Sequence, residues 1–249
     1  MRRPLVAFFV LAFGFSWASY AVTAAWPAAP LLFPFGPFLA ALAVAGVTRS
    51  RGDLQEILGR CLRWRVGGAW YAAALLVPAA IVLVAVALNV LLGAKMATAP
   101  PGGLSLRLLM LFPIALIDAP LWEEIGWRGF ALPAFPPWRS SLATTLIIGA
   151  LIAAWHLPLA LADRTIAAPY LLAAFSSAVV TNWIYYGARG SALLAIVYHT
   201  AANAVAGFWL FPMFSSQDSA RLWWLYAAVY IAAALVTGAR IARLQRPLT

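Results

Sequence analysis

Long apolar runs constrain this chain more than any other feature. Crossing the roughly 30 Å hydrocarbon layer of a bilayer takes about 20 apolar residues in a helix, and about eight stretches of the sequence approach or exceed that length. They lie near residues 4–26, 31–48, 68–93, 105–132, 141–162, 169–187, 191–213 and 221–240. The sequence therefore predicts an all-α, polytopic membrane protein whose residues 1–249 form a single transmembrane domain.

Composition excludes a soluble globular protein. Hydrophobic residues make up 65% of the chain and charged residues 10%, and the mean hydropathy is +0.90. A soluble domain has about 45–50% apolar and about 25% charged residues, so no soluble core could bury the excess. The single cysteine, Cys61, also excludes an internal disulfide.

The excess of positive charge is explained by topology. Seventeen Lys and Arg against seven Asp and Glu give a net charge of +10, which would suggest nucleic acid in a soluble protein. Cytoplasmic loops of membrane proteins collect Lys and Arg, and placing the N-terminus in the cytoplasm puts most arginines on that side. Those are Arg2, Arg3, Arg49, Arg51, Arg60, Arg63, Arg65, Arg139, Arg189, Arg240, Arg243 and Arg246, against Lys95, Arg107, Arg164 and Arg221 outside. We expect both termini in the cytoplasm, a lipid bilayer as the surroundings and no nucleic-acid partner.

One cytoplasmic segment, residues 49–65, has a different pattern. Leu54, Ile57, Leu58, Cys61 and Leu62 recur at helical spacing, with charged residues on the remaining faces. The pattern predicts an interfacial helix. Its charged face is interpreted as a solvated surface that anchors a loop, and the alternative is a surface that guides acidic substrates or lipids.

Four ionisable residues inside predicted spans stand out, because charged groups are costly there and usually functional. Both histidines of the chain, His156 and His199, are among them, and Glu123 and Glu124 are adjacent in the fourth apolar segment. Two other polar residues are assigned structural roles. Asp118 is expected to make a local hydrogen bond in a kinked helix, and Asn182 an interhelical hydrogen bond.

Spacing indicates which groups act together. Glu124 and Arg128 lie one helical turn apart and can pair, whereas Glu123 points about 100° away and stays available as a base. His199 and Asn203 share the same one-turn spacing and could donate two hydrogen bonds to an oxyanion. His156 precedes Pro158, which interrupts a helix and is expected to leave the imidazole at a bend.

These motifs resemble those of the CPBP intramembrane proteases, also called the Abi or CAAX-protease family. The family has an E-E-x-x-x-R motif, a second motif ending in His and a third of the form H-x-x-x-N, in this order and in separate helices. Here the matching residues are Glu123, Glu124 and Arg128, then His156, then His199 and Asn203. The resemblance covers residues 105–207 closely, and it departs at Ile152, where the family usually has an aromatic residue.

The resemblance implies an intramembrane endopeptidase acting on a peptide or protein substrate. Glu123 would be the general base for a water that His156 also holds, His199 and Asn203 the oxyanion site, and Glu124 and Arg128 supporting residues. A zinc ion bound by Glu123, His156 and His199 is the alternative way to activate the water. The metal-free water is favoured, because the chain has two histidines and Asn203 is a poor zinc ligand.

A different class of function is also compatible with a polar cavity in a membrane protein. The chain could be a non-proteolytic scaffold, or a transporter for a proton or a small ligand, although it has none of the inverted repeats typical of transporters. Its Ala- and Arg-rich usage favours a bacterial plasma membrane, where CAAX prenylation is not expected. Bacteriocin or peptide processing, or self-immunity, is then the favoured setting.

Overall fold

The computed structural model describes residues 3–47, 51–97 and 104–244. Residues 100–103, which connect the third and fourth predicted spans, lie outside the described ranges. So do Arg2, Arg49, Ser50 and Arg246. Twelve α-helices are present in the described ranges: α1 Arg3–Trp17, α2 Ser19–Ala25, α3 Gly36–Val47, α4 Arg51–Cys61, α5 Gly68–Leu91, α6 Leu104–Asp118, α7 Pro120–Glu124, α8 Ser141–Trp155, α9 Leu157–Ala162, α10 Ala167–Gly187, α11 Ala192–Val205 and α12 Ser216–Ala242. Two π-helices, Ile125–Ala131 and Ala206–Leu210, extend α7 and α11.

The protein is all-α and polytopic, as the sequence predicts. Within the described residues, five helical stretches are long and apolar enough to cross a membrane: Arg3–Thr23, Gly68–Leu91, Ala167–Gly187, Ala192–Met213 and Gln217–Ala242. The other three predicted spans correspond to shorter apolar helices, Gly36–Val47, Leu109–Asp118 and Ser141–Trp155. Each of the eight apolar segments is thus helical, but three of them are shorter than predicted.

Prolines explain why those three are short. The fourth predicted span, 105–132, breaks at Ala119, because Pro120 lacks the N–H that would continue the ladder of α6. The second begins at Gly36 rather than near residue 31, after Pro30 and Pro34. A third break follows α8, as described with the site below.

Two apolar cores hold the helices together on either side of the polar residues. One contains buried side chains of α5, α10, α11 and α12, including Val82, Ile184 and Tyr230. The other joins α1, α3, α8 and the first π-helix through residues such as Phe8 and Trp127. Helix α10 packs against both α8 and α12, so it forms the wall that separates the cores and positions the site between them.

Candidate active site

A cavity of about 130 Å³ lies where α7, the first π-helix, α8, α10, α11 and α12 meet. All six residues singled out in the sequence line it: Glu123, Glu124, Arg128, His156, His199 and Asn203. The cavity was expected among the fourth, fifth and seventh apolar segments. The structure adds α10 and α12, which contribute further lining residues.

Glu124 has two hydrogen-bonding partners, Arg128 and His199. Its carboxylate accepts two hydrogen bonds from Arg128 Nη1, at 2.9 Å to each oxygen. Its Oε1 also lies 2.9 Å from His199 Nδ1. The pairing with Arg128 was predicted from the spacing, but the contact with His199 was not. Glu124 therefore joins the first motif to the third.

Arg128 is itself fixed to the neighbouring helix. Its Nε donates to Asn182 Oδ1 at 3.0 Å, and its Nη2 donates to the Ala178 carbonyl at 3.3 Å. Both acceptors lie on α10, so the interhelical hydrogen bond predicted for Asn182 is present. Arg128 and Glu124 are 2% and 1% exposed. A buried ion pair of this kind is stable only when its remaining hydrogen bonds are satisfied.

The π-helix places these groups close to other backbones. Gly126 packs against α3 so tightly that an added Cβ would lie 2.5 Å from atoms of Pro37. Only glycine fits at that position. π-helical turns often occur at functional sites, and here the turn carries Arg128 immediately after the two glutamates.

Glu123 differs from Glu124 in its hydrogen bonding within the described residues. It is 4% exposed, and within the described residues no group donates a hydrogen bond to its carboxylate. Its side chain lines both the polar cavity and a second, mostly apolar cavity of about 750 Å³. Trp122, Trp155 and Phe33 are among the residues of that second cavity. Glu123 therefore lies where a polar and an apolar space adjoin.

His156 lies at a helix break, as predicted. Helix α8 ends at Trp155, and α9 begins at Leu157 with Pro158 in its first turn. His156 Nδ1 is 2.9 Å from the Ile152 carbonyl. A carbonyl can only accept, so Nδ1 carries the proton and Nε2 of the neutral ring is an acceptor.

Aromatic rings hold the His156 imidazole from two sides. Trp155 meets it edge-on at 4.8 Å between ring centroids, and Tyr170 does so at 5.8 Å. The family's usual aromatic residue at position 152 is an isoleucine here. In this protein the adjacent Trp155 provides an aromatic contact with the imidazole.

His199 and Asn203 lie on one face of α11, as their spacing predicts, and both line the cavity. The Glu124 carboxylate can only accept, so His199 Nδ1 is a donor and Nε2 is the ring atom that remains for a ligand. Within the described residues the Asn203 side chain makes no hydrogen bond. Both groups therefore have polar atoms left to bind a ligand in the cavity.

Sequence reasoning missed the opposite wall of the cavity. It is formed by hydroxyl-bearing and aromatic residues of α10 and α12: Tyr170, Ser177, Thr181, Trp223, Tyr226 and Tyr230. None of them forms a recognisable motif, because they lie on two helices separated in sequence. Asp118 was also misassigned: it is exposed, and its carboxylate makes no hydrogen bond to any described residue.

The arrangement does not fit the three-ligand zinc site that Glu123, His156 and His199 could have formed. In the described part of the chain, no three side chains of His, Cys, Asp or Glu lie in the arrangement of a metal site. Glu124, the acidic residue nearest His199, is bound to Arg128. We therefore route no step of the proposed reaction through a metal.

Comparisons with known proteins identify the same part of the chain. Residues 104–205 match the family model described as type II CAAX prenyl endopeptidase Rce1-like. A similar protein, CAAX prenyl protease 2 of Methanococcus maripaludis, is 24% identical over 99 residues, which cover 35% of this chain and 36% of the relative. The match thus spans about a third of that protein's length.

The matched region contains every residue of the cavity that the sequence motifs singled out. It begins at the start of α6 and ends with the last residue of α11. Residues 104–205 are therefore similar to Rce1-like endopeptidases, and the resemblance stated from the three motifs is confirmed.

Proposed function

We propose that this protein is an intramembrane endopeptidase of the CAAX-processing type. The observation that carries the proposal is the convergence of Glu123, His156, His199 and Asn203 on one cavity. These residues come from three helical segments far apart in sequence. Because polar groups inside a membrane protein are costly, their convergence on one cavity indicates a function. The Rce1-like match supports the same reaction class.

In the proposed first step, Glu123 removes a proton from a water molecule. Its carboxylate has no competing donor among the described residues, so both oxygens can accept. His156 Nε2 accepts the second hydrogen of the same water and thereby orients its oxygen. The oxygen then attacks the carbonyl carbon of the peptide bond, and the carbonyl electron pair moves onto oxygen.

In the same step, His199 and Asn203 stabilise the oxyanion. This role requires protons on both ring nitrogens of His199, with Nδ1 donating to Glu124 and Nε2 donating to the oxyanion. The Asn203 amide supplies a second donor. Such preorganised donors are effective in a site shielded from water. Glu124 and Arg128 act by holding the His199 ring in place.

The second step breaks the C–N bond. Glu123 returns its proton to the nitrogen as the tetrahedral intermediate collapses, so the products are a carboxylic acid and an amine. One carboxylate thus acts first as base and then as acid, and the enzyme ends in its starting protonation state.

The substrate class follows from the surroundings of Glu123. A peptide or protein segment at the membrane would place its peptide bond in the polar cavity and an apolar part in the 750 Å³ cavity beside it. We place the protein in a bacterial plasma membrane, in line with its Ala- and Arg-rich composition. Bacteriocin or peptide processing fits that setting.

The principal test compares wild-type protein with Glu123→Gln in lipid nanodiscs. Proteomics of membranes that contain either protein would first identify peptides cleaved by the wild type alone, and synthetic versions of them would then be assayed. Asp163→Asn is the control, because it removes an exposed carboxylate that lines neither the polar nor the apolar cavity. Equal activity of wild type and Glu123→Gln would overturn the proposal and favour a scaffold or transporter.

The orientation is tested separately by cysteine labelling in a Cys61→Ser background. With both termini in the cytoplasm, a cysteine at Ser50 should react only with reagent that enters the cytoplasm. A cysteine at Gly102 should react from outside. Labelling of position 50 from the external face would contradict the orientation without affecting the proposed chemistry.

A further inference from the structure

Helix α4 contacts the first π-helix, which follows the two glutamates, and α11, which carries His199 and Asn203. Its residue Arg60 donates from Nη1 to the Gly129 carbonyl at 3.0 Å. Gly129 belongs to the π-helix that follows the two glutamates. The sequence pattern had assigned Arg60 to a solvated face, and that prediction was wrong.

The Gly129 carbonyl needs this external donor. In an α-helix it would accept from the N–H four residues on, but residue 133 is a proline. The next N–H, that of Ala134, donates instead to Phe130 and Ala131, at 3.2 Å each. Arg60 therefore satisfies a carbonyl that Pro133 leaves without a partner, and it does so from another helix.

Close packing supports the same contact. Ile57 of α4 is buried, and a Cβ added at Gly129 would lie 3.2 Å from its Cγ2 and 3.6 Å from Cys61 Sγ. Burial raises the pKa of the Cys61 thiol to about 11, so Cys61 packs as a neutral side chain. Glycine at position 129 thus allows α4 to approach the π-helix.

The end of α4 is joined to the start of α11. Arg63 Nη1 donates to the Arg189 carbonyl. The Ser191 hydroxyl donates to the Arg63 carbonyl at 2.7 Å and also accepts from Leu194 N as the N-cap of α11. Helix α11 carries His199 two turns further on.

The outer face of α4 is suited to the membrane surface. Leu54, Leu58 and Leu62, at four-residue spacing, are 37%, 58% and 69% exposed. They form an exposed apolar stripe beside the face that packs on the π-helix. A helix that contacts lipid on one face and both the π-helix and α11 on another can fix the distance between those two segments.

We propose that α4 sets the distance between Glu124 and His199, and that Arg60 is its principal positioning residue. The inference rests on the proposed function, because the 2.9 Å contact between these residues aligns the oxyanion site. Neither Arg60 nor α4 reaches the cavity. Their effect is transmitted through the cytoplasmic ends of the π-helix and α11.

The test uses Arg60→Ala, with Arg65→Ala as its control. Arg65 carries the same charge four residues from α4's end, is exposed, and is in cation–π contact with Trp64 rather than with either catalytic segment. We expect kcat on a cleaved peptide to fall about tenfold in Arg60→Ala with KM within about twofold, because misalignment acts on the transition state. Arg65→Ala should match the wild type.

A second readout does not depend on turnover. The chain has two histidines, so ¹⁵N-histidine labelling gives one set of imidazole signals for each, assigned with His156→Gln. The His199 Nδ1 proton should exchange with solvent about tenfold faster in Arg60→Ala, while the His156 signal stays unchanged. If the wild type cleaves nothing, this signal still tests the role of α4.

Rescue separates positioning from general stability. Pro133→Ala provides a backbone N–H that can reach the Gly129 carbonyl, so Arg60→Ala/Pro133→Ala should recover most of the lost kcat and the slow exchange. If Arg60→Ala does not fold, Ser191→Ala removes the link to α11 and is measured in the same way. Unchanged kcat and unchanged His199 exchange in the folded variant would overturn the proposal.

Discussion

Two clusters of polar side chains inside this protein differ in how far their hydrogen bonds are satisfied. In one, Asn89 donates to the Asp218 carbonyl at 3.1 Å and accepts from Arg221 Nε at 2.7 Å. Arg221 also pairs with the Asp218 carboxylate at 2.9 Å. In the cavity, by contrast, Glu123 is buried like Asn89, but it has no hydrogen-bond donor among the described residues.

The difference indicates which cluster is structural and which is reactive. Buried polar groups that stabilise a fold satisfy their hydrogen bonds, since an unpaired group is costly away from water. A group retained without a partner keeps its capacity for a ligand. Within the cavity itself the same division recurs, because Glu124 is saturated by Arg128 and His199 while Glu123 and Asn203 are not.

The largest effect is expected for Glu123→Gln. Peptide cleavage should fall by about three orders of magnitude, the range of general base catalysis, because an amide cannot take a proton from water. The folded yield and the unfolding temperature should stay near wild type, because no described hydrogen bond is lost. If the Glu123→Gln protein failed to fold, Glu123 would be a residue that stabilises the structure rather than one that reacts with water.

Arg128→Ala should have the opposite profile. Removing one member of a buried pair typically costs about 3–5 kcal/mol, and here it also leaves Asn182 and the Ala178 carbonyl without their donor. We expect a large loss of folded protein, measured by size-exclusion yield and by unfolding in denaturant. Normal stability of Arg128→Ala would show that the network is not structural.

Asn203→Ala is predicted to lower kcat about a hundredfold, the effect of losing one oxyanion donor. Its stability should change little, because Asn203 makes no hydrogen bond to the described residues. Steady-state kinetics and thermal unfolding of the same preparation measure both quantities. An equal fall in stability and activity would argue against the oxyanion role.

Asn89→Leu tests the saturated cluster. It removes two hydrogen bonds of a fully buried side chain, one of them to the charged Arg221, which should lower the free energy of unfolding by about 1–3 kcal/mol. Activity per folded molecule should be unchanged, since Asn89 is not among the cavity-lining residues. A selective loss of activity would contradict the assignment of the Asn89 cluster to a purely structural role.

Much of the fold and of the site could be predicted from the sequence because the relevant signals are local. Apolar length predicted the eight helical segments, Pro158 predicted the break at His156, and one-turn spacing predicted the Glu124–Arg128 pair. A bilayer leaves the backbone little choice but helix, so hydropathy carries more information here than in a soluble protein. The single-domain assignment stays a prediction.

Other features could not be read from the sequence because they depend on which helices become neighbours. At about 1.5 Å per residue along the predicted spans 141–162 and 105–132, His156 lies about 22 Å and Glu123 about 14 Å from the cytoplasmic end, yet both line one cavity. The wall formed by Tyr170 and Tyr226 has no sequence signal for the same reason.

The sequence by itself determined the helices, the three motifs and the separation of Glu123 from Glu124, because each depends on residues within one or two turns. Only the tertiary structure decided that Glu124 also binds His199 and that Arg60 satisfies the Gly129 carbonyl. Those contacts join residues 75 and 69 positions apart. They form when packing brings side chains from different helices within hydrogen-bonding distance, and helical periodicity carries no information about that.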